Sequence, residues 1–76
     1  MSYDRVERVI YIPVVETGGT LNFYDAYGHL VASVSVAEGQ NRVPFPTGNF
    51  QTGQLYIAKY FEGKMKRKDR RVSLIY

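Results

Sequence analysis

Residues 21–31 read Leu-Asn-Phe-Tyr-Asp-Ala-Tyr-Gly-His-Leu-Val, and this segment predicts a β-hairpin. Leu21 and Phe23 alternate with more polar neighbours, which is the two-residue period of a strand with one buried face. Residues 25–28 then form a turn, because Gly28 readily takes the positive φ that a chain reversal often requires. Asp25 is expected to hydrogen-bond the amides of this turn. The rest of the chain can be arranged as strands added before and after the hairpin.

The second limb of the hairpin has a clear alternation of side chains. One face is wholly apolar and consists of Leu30, Ala32, Val34 and Val36, whereas the other consists of Val31, Ser33 and Ser35. A strand with this pattern covers a core on one side and meets water or a partner on the other.

Four further segments have strand character. Residues 6–15 are rich in β-branched side chains, and Pro13 makes this segment an edge strand or divides it. Residues 42–46 are extended by their prolines, residues 54–61 form the strongest strand, and residues 71–76 form the last. Turn signals recur about every 8–12 residues, which predicts a single-domain, all-β, antiparallel sandwich of six or seven short strands, immunoglobulin-like in the broad sense.

The composition limits how such a small domain can be stabilised. A chain of 76 residues buries only ~60% of the surface that its unfolded form exposes. Because the sequence has no cysteine and one histidine, it offers neither a disulfide nor a thiolate metal site. We therefore expect stability to come from good packing, with Phe50 as a plug under its loop, or from a partner surface.

Residues 54–61 are apolar on both faces, as expected for a central strand or one packed against another chain. Leu55, Ile57 and Phe61 share one face, and Tyr56, Ala58 and Tyr60 share the other. Tyrosine is enriched at protein interfaces because it combines a large apolar body with a polar tip. The sequence therefore predicts Tyr56 and Tyr60 as partner-binding residues, with ordinary core tyrosines as the alternative.

Positive charge is concentrated at the C-terminal end of the chain. The net charge is +3, and seven of the ten basic residues fall in the last eighteen positions: Lys59, Lys64, Lys66, Arg67, Lys68, Arg70 and Arg71. From Lys64 onward these residues are predicted to bind a partner or to protect a sheet edge with charge. An acidic protein is the favoured ligand, and nucleic acid is the alternative, because lysine and arginine clusters also contact phosphates.

No set of residues in the sequence predicts catalysis. His29 follows the turn and has only Asp25 as a nearby acid, so both are interpreted as turn residues. Ser33 and Ser35 lie on a regular strand without a base, and Gly18-Gly19 lacks the residues of a phosphate-binding loop. We expect no enzymatic activity, no cofactor and no metal.

Several motifs follow one another at close spacing along residues 20–76. They are Tyr24-Asp25-Ala26-Tyr27-Gly28-His29-Leu30-Val31, Gly39-Gln40-Asn41, Gly53-Gln54-Leu55-Tyr56, a turn at Gly63 and a basic last strand. This order resembles the C-terminal sorting domain of type IX secretion cargo. The resemblance implies a compact β-sandwich and, as a function, the sorting or anchoring of a secreted protein. Here we expect the domain to act without cargo.

Together these observations predict a non-enzymatic structural or accessory protein. It would dock onto a larger protein assembly, such as a virion shell, through contacts with an acidic protein or with copies of itself. The charged N-terminus lacks the apolar segment of a secretory signal, and no apolar run approaches the ~20 residues of a membrane span. The expected location is the cytoplasm or a virion, or the cell surface under the sorting-domain interpretation.

Overall fold

Seven short strands form two antiparallel sheets in the computed structural model, which describes residues 1–13, 17–46, 48–63 and 70–76. The strands are β1 (Ser2–Asp4), β2 (Val9–Tyr11), β3 (Gly19–Asp25), β4 (Leu30–Val36), β5 (Arg42–Pro44), β6 (Leu55–Glu62) and β7 (Arg70–Ile75). The described residues contain no helix. The predicted all-β class and number of strands are therefore confirmed.

The strand order is close to that of an immunoglobulin domain. The sheets have the orders β1-β2-β5 and β4-β3-β6-β7. In a constant-type immunoglobulin domain, numbered in the same way, the orders are 1-2-5-4 and 3-6-7. The two arrangements differ only in the fourth strand, which here pairs with β3 instead of β5. β6 lies between β3 and β7, as expected for a strand that is apolar on both faces.

The hairpin between β3 and β4 closes as the sequence predicts. The amide of Asp25 donates to the carbonyl of His29 at 2.9 Å, and Gly28 has a φ of 85°. Oδ1 of Asp25 accepts from the amides of Tyr27 and His29, each at 2.9 Å. These bonds, led by the one from the His29 amide, favour the charged carboxylate and lower the pKa of Asp25. The predicted role of Asp25 in the turn is confirmed.

Two side chains at the start of β4, Leu30 and Val31, are on the opposite faces from those predicted. Phe23 pairs with Ala32 but Tyr24 pairs with Leu30, so Val31 is an extra residue that forms a bulge. Because a bulge shifts the alternation by one residue, Leu30 points away from the core and is 57% exposed. Val31 packs against the core instead. The prediction that Leu30 shares the inner face with Ala32 is wrong for this reason.

The N-terminal strand is shorter than predicted, and another strand precedes it. Within residues 6–13, the described part of the 6–15 segment, only Val9–Tyr11 is a strand, and it lies in the middle of its sheet and not at an edge. Oδ1 of Asp4 accepts from the amides of Val6 and Glu7 at 2.9 and 3.1 Å, which places Val6 in an exposed turn between β1 and β2. Val14 and Val15 lie outside the described residues.

The core lies between the two sheets and ends in a cluster of aromatic rings. Phe50, in the loop before β6, lies at the centre of this cluster. Its ring centroid is 4.9–5.4 Å from those of four neighbours, namely Phe23, Phe45, Tyr56 and Tyr76. These are ordinary distances for favourable aromatic pairs. The prediction that Phe50 acts as a plug is confirmed.

Candidate protein-binding face

The two tyrosines predicted to bind a partner lie in the core. Tyr56 is 5% exposed and Tyr60 is 0% exposed, and both belong to the buried cluster between the sheets. Neither ring is available to a partner while the domain is folded. The predicted Tyr56/Tyr60 surface is therefore corrected: these residues supply core packing, and the opposite face of β6 is the accessible one.

The position of Lys59 in the sequence could have shown which face of β6 is buried and which is exposed. It shares the two-residue period of Leu55, Ile57 and Phe61, and a lysine is almost never fully buried without a partner. Its face must therefore meet solvent, which leaves Tyr56, Ala58 and Tyr60 to point inward. The burial of the three confirms this.

The hydroxyl groups of the two buried tyrosines have different environments. The hydroxyl of Tyr56 accepts a hydrogen bond from the amide of Gln51 at 2.8 Å. The hydroxyl of Tyr60 has no hydrogen-bond partner in the described part of the chain. Burial raises the pKa of Tyr60, the charge of Glu62 raises it further, and Arg70 acts in the opposite direction.

The structure describes two of the predicted basic partner-binding residues. Arg70 and Arg71 begin β7, and Arg71 is exposed. Lys64, Lys66, Arg67 and Lys68 lie outside the described residues. Their predicted role in binding therefore stays a prediction.

We use the name outer face for the surface of the four-stranded sheet that points away from the other sheet. One end of it, next to the β3–β4 turn, is apolar. This apolar end consists of Tyr24, Leu30, Leu55, Ile57 and Ile75, brought together by the cross-strand pairs of the register. Leu30, Leu55 and Ile75 are 57%, 41% and 45% exposed. Single exposed apolar side chains are common, but a contiguous group of them often marks an interaction site.

A cleft adjoins the apolar end. It has a volume of about 260 Å³ and is open to solvent. Its lining includes Ala26 and Tyr27 of the turn, Asn49 and Gln51 of the loop before β6, and Leu55, which also belongs to the apolar end. A partner lying on the outer face could insert a side chain here.

A polar row crosses the sheet beside the apolar end. Ser33, Asn22, Lys59 and Arg71 are consecutive cross-strand partners on β4, β3, β6 and β7. The hydroxyl of Ser33 donates to Oδ1 of Asn22 at 2.6 Å, and the side-chain Nδ2 of Asn22 donates to the hydroxyl of Tyr24 at 3.2 Å. The ammonium of Lys59 lies 5.3 Å from the centroid of the Tyr24 ring. We call Ser33, Asn22, Lys59 and Arg71 the cationic row.

The two cations of the row oppose each other directly. Like charges at opposed positions of neighbouring strands are destabilising unless an anion lies between them. None of the described residues of the outer face is a carboxylate, and the described part of the chain gives Lys59 and Arg71 no ion-pair partner. A bound carboxylate would relieve this repulsion.

Two of the cations near the other sheet have contacts within the chain, whereas the exposed Arg5, in the turn between β1 and β2, has no hydrogen bond or ion pair among the described residues. The guanidinium of Arg42 lies 3.7 Å from a carboxylate oxygen of Glu7. The guanidinium of Arg8 stacks over the Tyr76 ring at 4.1 Å from its centroid. The outer face of the four-stranded sheet differs in that two of its cations oppose each other directly without a carboxylate among its described residues, which makes it the candidate for binding an acidic partner.

The turn that contains the single histidine has a simple geometry. Nδ1 of His29 lies 3.5 Å from Oδ2 of Asp25, and the His29 side chain is largely exposed. The described residues contain no group of three or more side chains that could hold a metal ion. The described residues include no helix that is long and apolar enough to span a membrane. The contacts of Asp25 and His29 are those of a closed turn.

Comparison with known proteins adds no further information on the site. No protein-family model, curated protein or solved structure matches this chain.

Proposed function

We propose that this chain is a non-enzymatic structural or accessory protein that docks onto a larger protein assembly through its outer face. The observation that carries the proposal is the contiguous apolar end, lying directly beside two opposed cations on one sheet surface. A virion shell is one kind of assembly that such a small domain could decorate.

The apolar end supplies the part of the interface that would exclude water. Interfaces of this type place apolar and aromatic side chains at the centre and polar groups at the rim. Leu55 and Ile75 are direct cross-strand partners, so the two exposed side chains form one hydrophobic surface. Burying them against a partner would remove apolar area that the folded chain leaves in water.

The cationic row specifies the chemistry of the partner. A carboxylate placed between Lys59 and Arg71 would attract both cations and reduce their mutual repulsion, and charge-assisted hydrogen bonds of this kind are stronger than neutral ones. The partner is therefore expected to present an acidic side chain next to an apolar one. Complementary charge of this kind sets orientation and speeds association.

The proposal can be tested by co-purification from the cells that make the chain. The variant Ile75→Asp places a charge in the apolar end, and Tyr11→Asp places the same charge on the opposite sheet as a matched control. We expect wild type and Y11D to retain a common partner and I75D to lose it by at least about tenfold, as for a hot-spot residue. Circular dichroism checks that both variants fold. Equal retention by I75D and Y11D would contradict the proposal.

Nucleic-acid binding is a second candidate, favoured by the opposed pair Lys59 and Arg71 and by the Tyr24 ring next to Lys59. Cations contact phosphates, and an exposed aromatic ring can stack on a base. A single-stranded oligonucleotide titrated at two salt concentrations separates the candidates. Phosphate binding weakens steeply with salt, and K59E and R71E would each reduce the salt dependence.

Sorting or anchoring of a secreted protein is a third candidate. It is supported by the resemblance to the type IX sorting domain and by the hairpin at residues 21–31. Its test is the fusion of residues 1–76 to a reporter with a signal peptide in a type IX-competent cell. Export or surface attachment of the reporter is the expected result, and a reporter that remains in the periplasm would remove this candidate.

A further inference from the structure

A β-sandwich of two open sheets has four edge strands, and three of them here carry protection against pairing with another chain. β1 and β5 have three residues each, and β5 contains Pro44, which cannot donate to a ladder. β7 begins with Arg70 and Arg71. Short strands, proline and charge are the usual means of blocking edge-to-edge pairing.

The fourth edge, β4, has little of this protection. It is seven residues long, and it has neither a charged residue nor a proline. Its bulge lies at Val31, near the start, so residues 32–36 keep a regular alternation. Within the described residues β3 is its only hydrogen-bonded strand neighbour. Among the described strands, none pairs with the other side of its backbone.

We propose that β4 pairs with β4 of a second copy of this chain, antiparallel and centred on Val34, so that the two four-stranded sheets become one sheet of eight. In this register Ala32 meets Val36, Ser33 meets Ser35, and Val34 meets its own equivalent. Small apolar residues oppose apolar ones on the core face and serine opposes serine on the outer face. The edge is self-complementary, as a two-fold interface requires.

The match of side chains across the interface favours β4 as the edge that a second copy would use. Antiparallel pairing of β7 with itself along its length would set Arg70 and Arg71 of one chain against Ile75 and Leu74 of the other, whereas pairing of β4 sets apolar residues against apolar ones and serine against serine. The β4 edge is therefore the better matched to its own copy. A small domain with a thin core gains from such an interface.

This pairing is independent of the proposed docking function, because it uses the backbone edge and leaves the outer face open. It would place two outer faces side by side in one continuous sheet. If both proposals hold, the pair presents two cationic rows and two apolar ends to the same assembly, which strengthens attachment without new contacts.

Charge-swapped double variants test the pairing. In S33K/S35K and in S33E/S35E, like charges oppose each other across the interface, at positions whose side chains are exposed in the monomer. We expect wild type to sediment as a dimer, each double variant to dimerise at least about tenfold more weakly, and an equimolar mixture of the two to form a heterodimer. The control S73K/Q54K adds the same charge at exposed positions away from β4 and should remain dimeric.

Three results would overturn the proposal. They are a wild type that stays monomeric at every concentration, a dimer that survives in both double variants, and a mixture that gives no heterodimer. Circular dichroism melts confirm folding. If a double variant does not fold, S33K and S33E replace it; their like charges meet diagonally across the interface, so a smaller weakening is expected. Because Ser33 belongs to the cationic row, these variants report on pairing alone. Docking is tested separately by I75D, which should lose the partner and still sediment as a dimer.

Discussion

Tyr56 and Tyr60 should respond in opposite directions to the loss of the same atom. Both rings are buried on the inner face of β6, but only the hydroxyl of Tyr56 has a partner, the amide of Gln51 at 2.8 Å. Replacing tyrosine by phenylalanine removes the hydroxyl and leaves the ring. The pair Y56F and Y60F therefore isolates what each hydroxyl contributes to the free energy of unfolding.

The expected magnitudes follow from the two environments. Y56F loses one hydrogen bond, which costs about 0.5–1.5 kcal/mol, because water can reach the freed amide of the exposed Gln51. Y60F removes a buried hydroxyl without a partner, whose desolvation costs about 1–3 kcal/mol, so this variant should be as stable as wild type or more stable. For a chain of this size 1 kcal/mol corresponds to roughly 4–8 °C in Tm.

Urea denaturation and thermal melts of the two variants and wild type measure this difference. We expect Y60F to melt at or above the wild-type temperature and Y56F to melt below it. The reasoning is refuted if Y60F is less stable than wild type by about 1 kcal/mol or more, since this would mean that the Tyr60 hydroxyl makes a stabilising bond.

The same pair predicts a pH dependence. Burial raises the pKa of Tyr60 above its ordinary value of 10.0, so folding favours the neutral phenol. That contribution is fully present below pH 10.0 and is lost as the pH rises through the folded-state pKa. The free energy of unfolding of Y60F should therefore exceed that of wild type by a growing amount as the pH rises above 10.0 in a series of urea titrations. A constant difference across the series would contradict it.

Three further predictions concern the turn, a close backbone approach and the aromatic plug. D25A should lower Tm at neutral pH, and because the pKa of Asp25 is lowered in the folded state, the loss should shrink as the pH falls below 3.8 in a series of melts; a gap that persists in acid would be unexpected. G19A places a Cβ against the carbonyl oxygen of Phe61 and should cost about 1–3 kcal/mol in urea denaturation, so wild-type stability would count against the register of β3 and β6. F50A removes the ring at the centre of the aromatic cluster and should cost about 3 kcal/mol by the same assay; a loss below 1 kcal/mol would argue that the loop does not seal the core.

The local features of the fold could be predicted from the sequence because their causes are local. The β3–β4 turn depends on Asp25 and Gly28, and both residues lie within the same four-residue segment. The extended edge at residues 42–46 follows from the geometry of proline. The sandwich itself follows from the spacing of strands and turns.

The features that were predicted wrongly depend on contacts between residues far apart in the sequence. Both faces of β6 are apolar, so local periodicity alone could not choose between them, and the charge of Lys59 had to be weighed against the apolar neighbours on its face. The bulge at Val31 depends on pairing with β3, and it moves Leu30 to the outer face. The first strand is three residues long and forms only beside β2.

The candidate site could be predicted only in part, for the same reason. Arg71 was identified as a binding residue from composition, and it does lie on the outer face. Its opposition to Lys59 is set by the register of β6 and β7, which the sequence does not specify. The apolar end likewise collects residues from four different strands.

Site-specific photo-crosslinking tests the proposed docking face most directly. A photoreactive residue at position 57 or 75 samples the outer face, and one at position 11 samples the opposite sheet. In the cells that make the chain, positions 57 and 75 should give one common adduct with a different protein, and position 11 should give none. Adducts of equal yield from all three positions, or none from positions 57 and 75, would contradict the account.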